Sequence, residues 1–312
     1  MKRELPDQLR FLASRKAVQK TCSESMACKV CVITGSTSGV GLQAARRFAK
    51  GGADIIMVCR DKVKADAIRA EIVASWGVNV GIVVADFSDL SQVRKAAAEI
   101  LERCPRIDVL INSAGLHSTT RKITREGFEL VFCVNHLASF LLTSLLLERM
   151  KASAPSRIIQ VNSEGHRFGG LDLDDLDWAK RHYTGLKGYG ASKIAQLLTV
   201  WEFSDRLKGT GVTINAMHPG DVRTNIGNNN GPLYRAFKNT IIRLMLKDPA
   251  ISGEALYWLA ASPEAGRTSG RFFHLTIEEK PTNQALDRRL GAKVWERSLA
   301  LTGLSQTTWP NP

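Results

Sequence analysis

Residues 29–41 read KVCVITGSTSGVG, and on this stretch rests the choice of architecture. Residues 29–34 form an apolar run of strand length. The run breaks into Thr34-Gly35-Ser36-Thr37-Ser38-Gly39-Val40-Gly41, and 43–50 continues with helical composition. A strand, a tight glycine turn and a helix in that order bring backbone N–H groups to a helix N-terminus, where a pyrophosphate binds. The spacing here is Gly-x3-Gly-x-Gly, whereas Gly-x-Gly-x-x-Gly is commoner. A glycine-rich turn alone says little; between a first strand and a first helix it reads as a dinucleotide-binding turn.

The same alternation runs through the chain. Residues 54–59 (DIIMVC), 79–84, 107–112, 157–161 and 212–217 are further buried-strand candidates. Helical composition fills 64–75, 91–103, 126–150 and 189–207 between them. Strands alternating with helices describe a mostly parallel sheet covered on both faces, a single doubly wound α/β domain. No internal repeat or linker divides it. The expected layout is a basic N-terminal arm at 1–27, the domain at 28–305 and a short tail at 306–312.

Composition is that of an ordinary soluble protein, 44% hydrophobic and 23% charged. The longest strongly apolar stretch, 137–147, spans about half of a bilayer-crossing helix, so no transmembrane segment is expected. The first twenty residues have no continuous apolar core and no evident cleavage site, so no secretory signal is expected either. Cys28-Lys-Val-Cys31 has CxxC spacing but runs into a strand, where residues three apart face opposite sides. No second pair completes a metal set. Cys22, Cys28, Cys31, Cys59, Cys104 and Cys133 therefore read as reduced structural cysteines in a cytoplasmic protein.

The formal charge of +13 concentrates at the arm and at 234–247, where Arg235, Lys238, Arg243 and Lys247 alternate with apolar residues. Both segments read as solvated helix faces or as contacts with a membrane surface or lipophilic substrate. No nucleic-acid recognition module is present. Assembly into a homo-oligomer is compatible with the sequence.

The second strand ends in Val58-Cys59-Arg60-Asp61. In this fold that strand end approaches the adenosine ribose, where arginine can pair with a 2′-phosphate and an acid accepts from ribose hydroxyls. Arg60 favours NADP(H); the adjacent Asp61 keeps NAD(H) open, and Arg60 can also be an ordinary surface residue. Asp86 stands after the third strand, placed to meet the adenine edge or to cap the next helix. Three of the four tyrosines have a lysine four residues on: Tyr183/Lys187, Tyr189/Lys193 and Tyr234/Lys238.

Taken in order, TGSTSGVG at 34–41, NSAG at 112–115, VNHL at 134–137, a serine at 163, YGASK at 189–193 and HPGDVRT at 218–224 resemble the short-chain dehydrogenase/reductase superfamily over nearly all of 29–304. VCRD at 58–61, VNHLASFLLTSLLL at 134–147 and VWERSLALTGL at 294–304 look like its retinol-dehydrogenase-type branch. Many members of that branch carry an N-terminal membrane anchor, which residues 1–20 are not expected to form. The resemblance implies a Rossmann-type sheet of about seven strands. It also implies a catalytic set of Asn135, Ser163, Tyr189 and Lys193. In the family pattern Gly35, Ser36, Thr37, Ser38, Gly39, Val40 and Gly41 hold the cofactor's phosphates. Arg60, Asp86 and Phe87 flank its adenosine end, and Asn112, Ser113, Ala114 and Gly115 line the cleft. Pro219, Gly220, Val222 and Thr224 lie at the nicotinamide end. Asn135 is expected to hold a water linking Lys193 to solvent. NSAG differs from the usual NNAG by one residue. Asn162 and Glu164 beside the serine are also less usual, Glu164 tuning the substrate pocket or facing solvent.

A tyrosine titrates near about 10, too high for an efficient base at neutral pH, and a nearby ammonium favours its charged form. Lysine at i+4 on a helix shares a face with the tyrosine, so it can bias the phenol and also reach the nicotinamide ribose. A serine hydroxyl can stabilise charge developing on a substrate oxygen. Gly185 and Gly188 argue against a helical face for Tyr183/Lys187. Tyr234/Lys238 falls in the basic, apolar segment suited to covering substrate. Tyr189/Lys193 opens a good amphipathic helix, with small residues at 190–192 that allow close cofactor approach. His218 reads as a packed strand-end residue, whereas His136 and His166 could contact substrate. The expected function is an NADP(H)-dependent oxidoreductase interconverting a small hydrophobic carbonyl and its alcohol. The alternative is a regulator that binds the nucleotide without catalysis.

Overall fold

The computed structural model describes residues 17–220, 222 and 248–305. Thr224, the segment 233–247, the first sixteen residues of the arm and the tail lie outside them. In chain order the first half comprises β1 (Val30–Thr34), α1 (Gly39–Lys50), β2 (Asp54–Cys59), α2 (Lys62–Trp76), β3 (Val80–Val84), α3 (Leu90–Arg103) and β4 (Val109–Asn112). There follow α4 (Leu130–Ala152), β5 (Ser156–Val161), α5 (Gly185–Arg206), β6 (Val212–His218), α6 (Ala250–Ala261) and α7 (Pro263–Gly266). The described part closes with β7 (Phe272–His274), β8 (Ile277–Glu278) and α8 (Arg288–Thr302).

The sheet runs β3-β2-β1-β4-β5-β6-β7-β8. All pairs are parallel except β7 with the two-residue β8. It is the doubly wound sheet expected, with one short antiparallel strand more than the seven anticipated. The chain passes from one side of β1 to the other between β3 and β4. Strand order reverses there, which opens a crevice at the carboxyl ends of β1 and β4.

Alternation along each strand divides the core. Val32, Leu110 and Ile158 point to the layer of α3, α4, α5 and α8, while Cys31, Ile33, Val109, Ile111 and Ile159 point to that of α1, α2 and α6. Both faces are buried, so the strands read as continuous apolar runs. Cys31 is a core residue and Cys28 lies exposed in the preceding turn. Helix α4 is long and apolar enough to cross a membrane, yet 83% of its apolar window is buried in protein, which makes it a core helix.

Several helix starts differ from the sequence expectation. The α4 helix begins at Leu130 because the Glu129 carboxylate caps it, accepting from Val131 N at 3.0 Å and Phe132 N at 2.7 Å. Helix α5 begins at Gly185, four residues earlier than the pattern suggested. Thr184 caps it, and Gly185 and Gly188 sit where a Cβ would lie 2.7 Å from Ser118 O and 2.5 Å from the Tyr183 ring. These glycines permit close packing and do not break the helix. Part of the arm is also held: Gln19 and Lys20 hydrogen-bond Thr276, and Met26 is buried, its N–H donating to Gly51 O at 2.8 Å.

Candidate active site

The glycine turn after β1 is built for close backbone approach. Gly35 has φ +66°, and a Cβ there would lie 2.9 Å from Ala114 Cα. A Cβ on Gly41 would lie 2.4 Å from Gly35 O, so α1 starts directly against the turn. Thr34 ties the turn to β4, its Oγ1 accepting from Ser113 N at 3.0 Å and Ala114 N at 2.9 Å. The N-cap of α1, Ser38, makes no side-chain capping bond, and no acidic residue occupies its first turn. Ser36 Oγ is buried without a hydrogen-bond partner among the described residues. A helix N-terminus with open N–H groups, no repelling carboxylate and a spare buried hydroxyl fits the diphosphate of a dinucleotide.

The residues at the neighbouring strand ends have varied surroundings. Arg60 is exposed beyond β2, while Asp61 caps α2 by accepting from Lys64 N at 3.0 Å. Asp86 does not cap α3; that is done by Asp89, and Asp86 accepts instead from Ser88 N and Oγ at 2.9 and 2.8 Å. The Phe87 side chain packs in the core. Asn112 donates to Thr143 Oγ1 at 2.8 Å, and its Oδ1 is buried without a partner among the described residues. Pro219 O accepts from Ser252 Oγ at 2.7 Å, Gly220 follows at φ +79°, and Val222 is buried.

Ser163 follows β5, and Tyr189 and Lys193 stand one turn apart on α5. Ser163 Oγ accepts from Gly165 N at 3.1 Å, and a Cβ on Gly165 would lie 2.7 Å from the Tyr189 ring and 3.4 Å from Ser163 Oγ, so the two side chains meet at this glycine. Lys193 Nζ lies 5.5 Å from the Tyr189 ring centroid and donates to Val161 O at 3.0 Å and Gln196 Oε1 at 2.9 Å. The tyrosine keeps some solvent exposure, and desolvation by its surroundings pushes its pKa up to about 12 against the opposing effect of Ser163. Burial brings Lys193 down to about 7.

Asn135 sits in a π-helical turn, Cys133–Leu137, within α4. Such turns widen a helix by one residue and recur at functional sites. Its side chain is fully engaged: Oδ1 accepts from Leu116 N at 2.8 Å, and Nδ2 donates to Leu116 O at 3.1 Å and Ser192 Oγ at 3.0 Å. Its carbonyl accepts from Ser139 Oγ at 2.9 Å and from Gln196 Nε2.

The other tyrosine pairs separate clearly. The Tyr183 hydroxyl hydrogen-bonds Ser118 O and Glu129 at 3.2 and 3.3 Å, a structural role, and Tyr234/Lys238 lies outside the described residues. The small residues at 190–192 meet protein: a Cβ on Gly190 would lie 2.6 Å from Gly169 N, Ala191 is core, and Ser192 bonds Asn135. His136 faces away from the site, bonded to Ser298 at 2.7 Å and depressed by burial to about 3. His166 is buried, with Nδ1 2.7 Å from Ser163 O, and His218 ends β6 packed on His274. Glu164 does not face solvent. It is buried and ion-paired at 2.5 Å to Arg167, which also reaches Glu279 at 2.7 Å. A surface hollow of about 680 Å³ lined by Trp201, Arg271 and Glu279 includes none of Ser163, Tyr189 and Lys193.

The sequence pattern of the family described as short chain dehydrogenase matches residues 29–233. The chain belongs to the short-chain dehydrogenase family. Human retinol dehydrogenase 13 is 39% identical to this dehydrogenase over 281 residues, covering 88% of it and 85% of the relative. Human retinol dehydrogenase 14 is 38% identical over 292 residues, covering 88% and 87%. A crystal structure of a Mycobacterium paratuberculosis protein superposes with a TM-score of 0.75 at 29% identity, covering 94% of this chain and all of that one. The dehydrogenase is therefore an oxidoreductase working between alcohols and carbonyls with a nicotinamide dinucleotide, in a retinol-dehydrogenase-like branch. The sequence motifs of this dehydrogenase assigned no role to Thr34, which opens TGSTSGVG, to Asn162, which stood out only as unusual beside Ser163, or to Gln196. The Asn162 side chain accepts from Ser163 N at 2.9 Å and donates to Lys193 O at 3.0 Å. Thr34 lies within the glycine-turn motif, Asn162 directly precedes Ser163, and Gln196 stands one helical turn beyond Lys193.

Proposed function

We propose that this dehydrogenase reduces a hydrophobic aldehyde or ketone with NADPH, with Tyr189 as the proton donor. The meeting of Ser163 and the Tyr189 ring at Gly165, with Lys193 Nζ 5.5 Å from the centre of that ring, supports this reading. The nicotinamide, when bound, supplies the hydride. Ser163 donates to the substrate oxygen and stabilises the charge that builds there. Tyr189, held neutral at pH 7, gives that oxygen its proton. Protonated Lys193 favours the tyrosinate left behind. Arg60, exposed at the end of β2, would pair with a 2′-phosphate and select NADPH. The retinol dehydrogenase names of the relatives support a lipophilic substrate.

The test is a panel of aldehydes, ketones and retinoids assayed with NADPH and NADH side by side. NADPH consumption faster than NADH consumption is the expected result. Nucleotide binding with no turnover across the panel would overturn it and leave the non-catalytic regulator.

A further inference from the structure

Gln196 lies one turn beyond Lys193 on α5 and is fully buried. Its amide is oriented by its neighbours: Oε1 accepts from Lys193 Nζ at 2.9 Å and Asn162 Nδ2 at 3.1 Å, and Nε2 donates to Asn135 O. Reversing the amide would set donors against donors, so the assignment is unambiguous.

We propose that Gln196 is a positioning residue for Lys193, anchoring its ammonium through Oε1 and tying that anchor, through Nε2, to the π-helical turn at Asn135. An ammonium has three donors. Val161 O and Gln196 Oε1 fix two of them, which leaves the third for the Tyr189 side. Both fixed contacts are to neutral oxygens that favour the charged amine, opposing the burial that disfavours it. The Lys193 and Asn162 side chains and the Asn135 main-chain carbonyl are thereby held in one network linking α5, the residue after β5 and α4. A neutral amide does not pass protons as water does, so this contact sets the charge on Lys193 without serving as a wire. The inference rests on the reading that Lys193 takes part in proton handling.

The test follows Lys193 itself. Full-length protein carrying lysine labelled with ¹³C at Cε is titrated without cofactor, the Lys193 signal being assigned by its loss in Lys193→Met. Gln196→Met keeps the volume and removes the acceptor, and should lower the Lys193 midpoint by roughly one pH unit. Gln196→Glu keeps an acceptor oxygen and adds charge, and should raise the midpoint above wild type. Near-UV circular dichroism reports whether each variant folds; if Gln196→Met does not, the direction of Gln196→Glu decides. A Lys193 midpoint unchanged in the folded variants overturns the proposal. Turnover is not the readout, so a failed substrate panel would refute the proposed reaction and leave this result standing.

Discussion

Replacing Gly41 by alanine tests the phosphate cradle at its tightest point. The new Cβ would lie 2.4 Å from Gly35 O, 2.8 Å from Gly35 C and 3.2 Å from Ser36 Cα, all of them backbone. Restoring an ordinary contact requires about 1 Å of separation between turn and helix, and overpacking of that kind costs about 1–3 kcal/mol. Alanine recovers about 1 kcal/mol of that through helix propensity. Net destabilisation is then about 0–2 kcal/mol, a fall in Tm of only several degrees at most. Binding enjoys no such offset, because the displaced atoms are the ones that must approach the cofactor. NADPH affinity, measured by fluorescence titration of the purified variant, should fall at least about tenfold, equivalent to about 1.4 kcal/mol. A wild-type Kd in a variant of near-normal Tm would refute the claim that this turn receives the dinucleotide.

Arg60→Ala should weaken NADPH about 10- to 100-fold, the loss of one charge-assisted contact, with little effect on NADH; equal losses for both nucleotides, measured by paired titrations, would remove Arg60 from the selectivity argument. Lys193 titrates at about 7 in the folded protein, against the ordinary 10.5. Between these values the unfolded chain holds the extra proton, so this group makes stability rise with pH across that window. Urea denaturation at both ends of the window should show a shallower rise in Lys193→Met than in wild type, and an identical rise would contradict the assignment.

Much of this architecture could be read before any coordinates. The β1 run and its glycine turn carry their physics locally, since strand length, φ freedom and a helix start all lie within thirteen residues. YGASK was legible for the same reason, as i and i+4 share a face wherever the helix begins. Features set by packing between distant segments were not legible. The π-turn at Cys133–Leu137 has no local signature, because the side chain of Asn135 is held by Leu116 and by Ser192 on another helix. Gln196 resembled any polar helix residue until the fold placed it between Lys193 and Asn135. Glu164 could not be assigned from its neighbours, because its burial depends on Arg167 and, through it, on Glu279. Gly185 and Gly188 misled in the opposite sense, since their small size serves Ser118 and Tyr183, which a reading of α5 alone does not see.

The most direct test of the account is Tyr189→Phe, which removes one oxygen and keeps the ring against Lys193. NADPH affinity should stay within about twofold of wild type, while kcat on any substrate found active falls about 10²- to 10⁴-fold, the range for removing a general acid. Turnover near the wild-type value in that variant would contradict the assignment of Tyr189 as the proton donor.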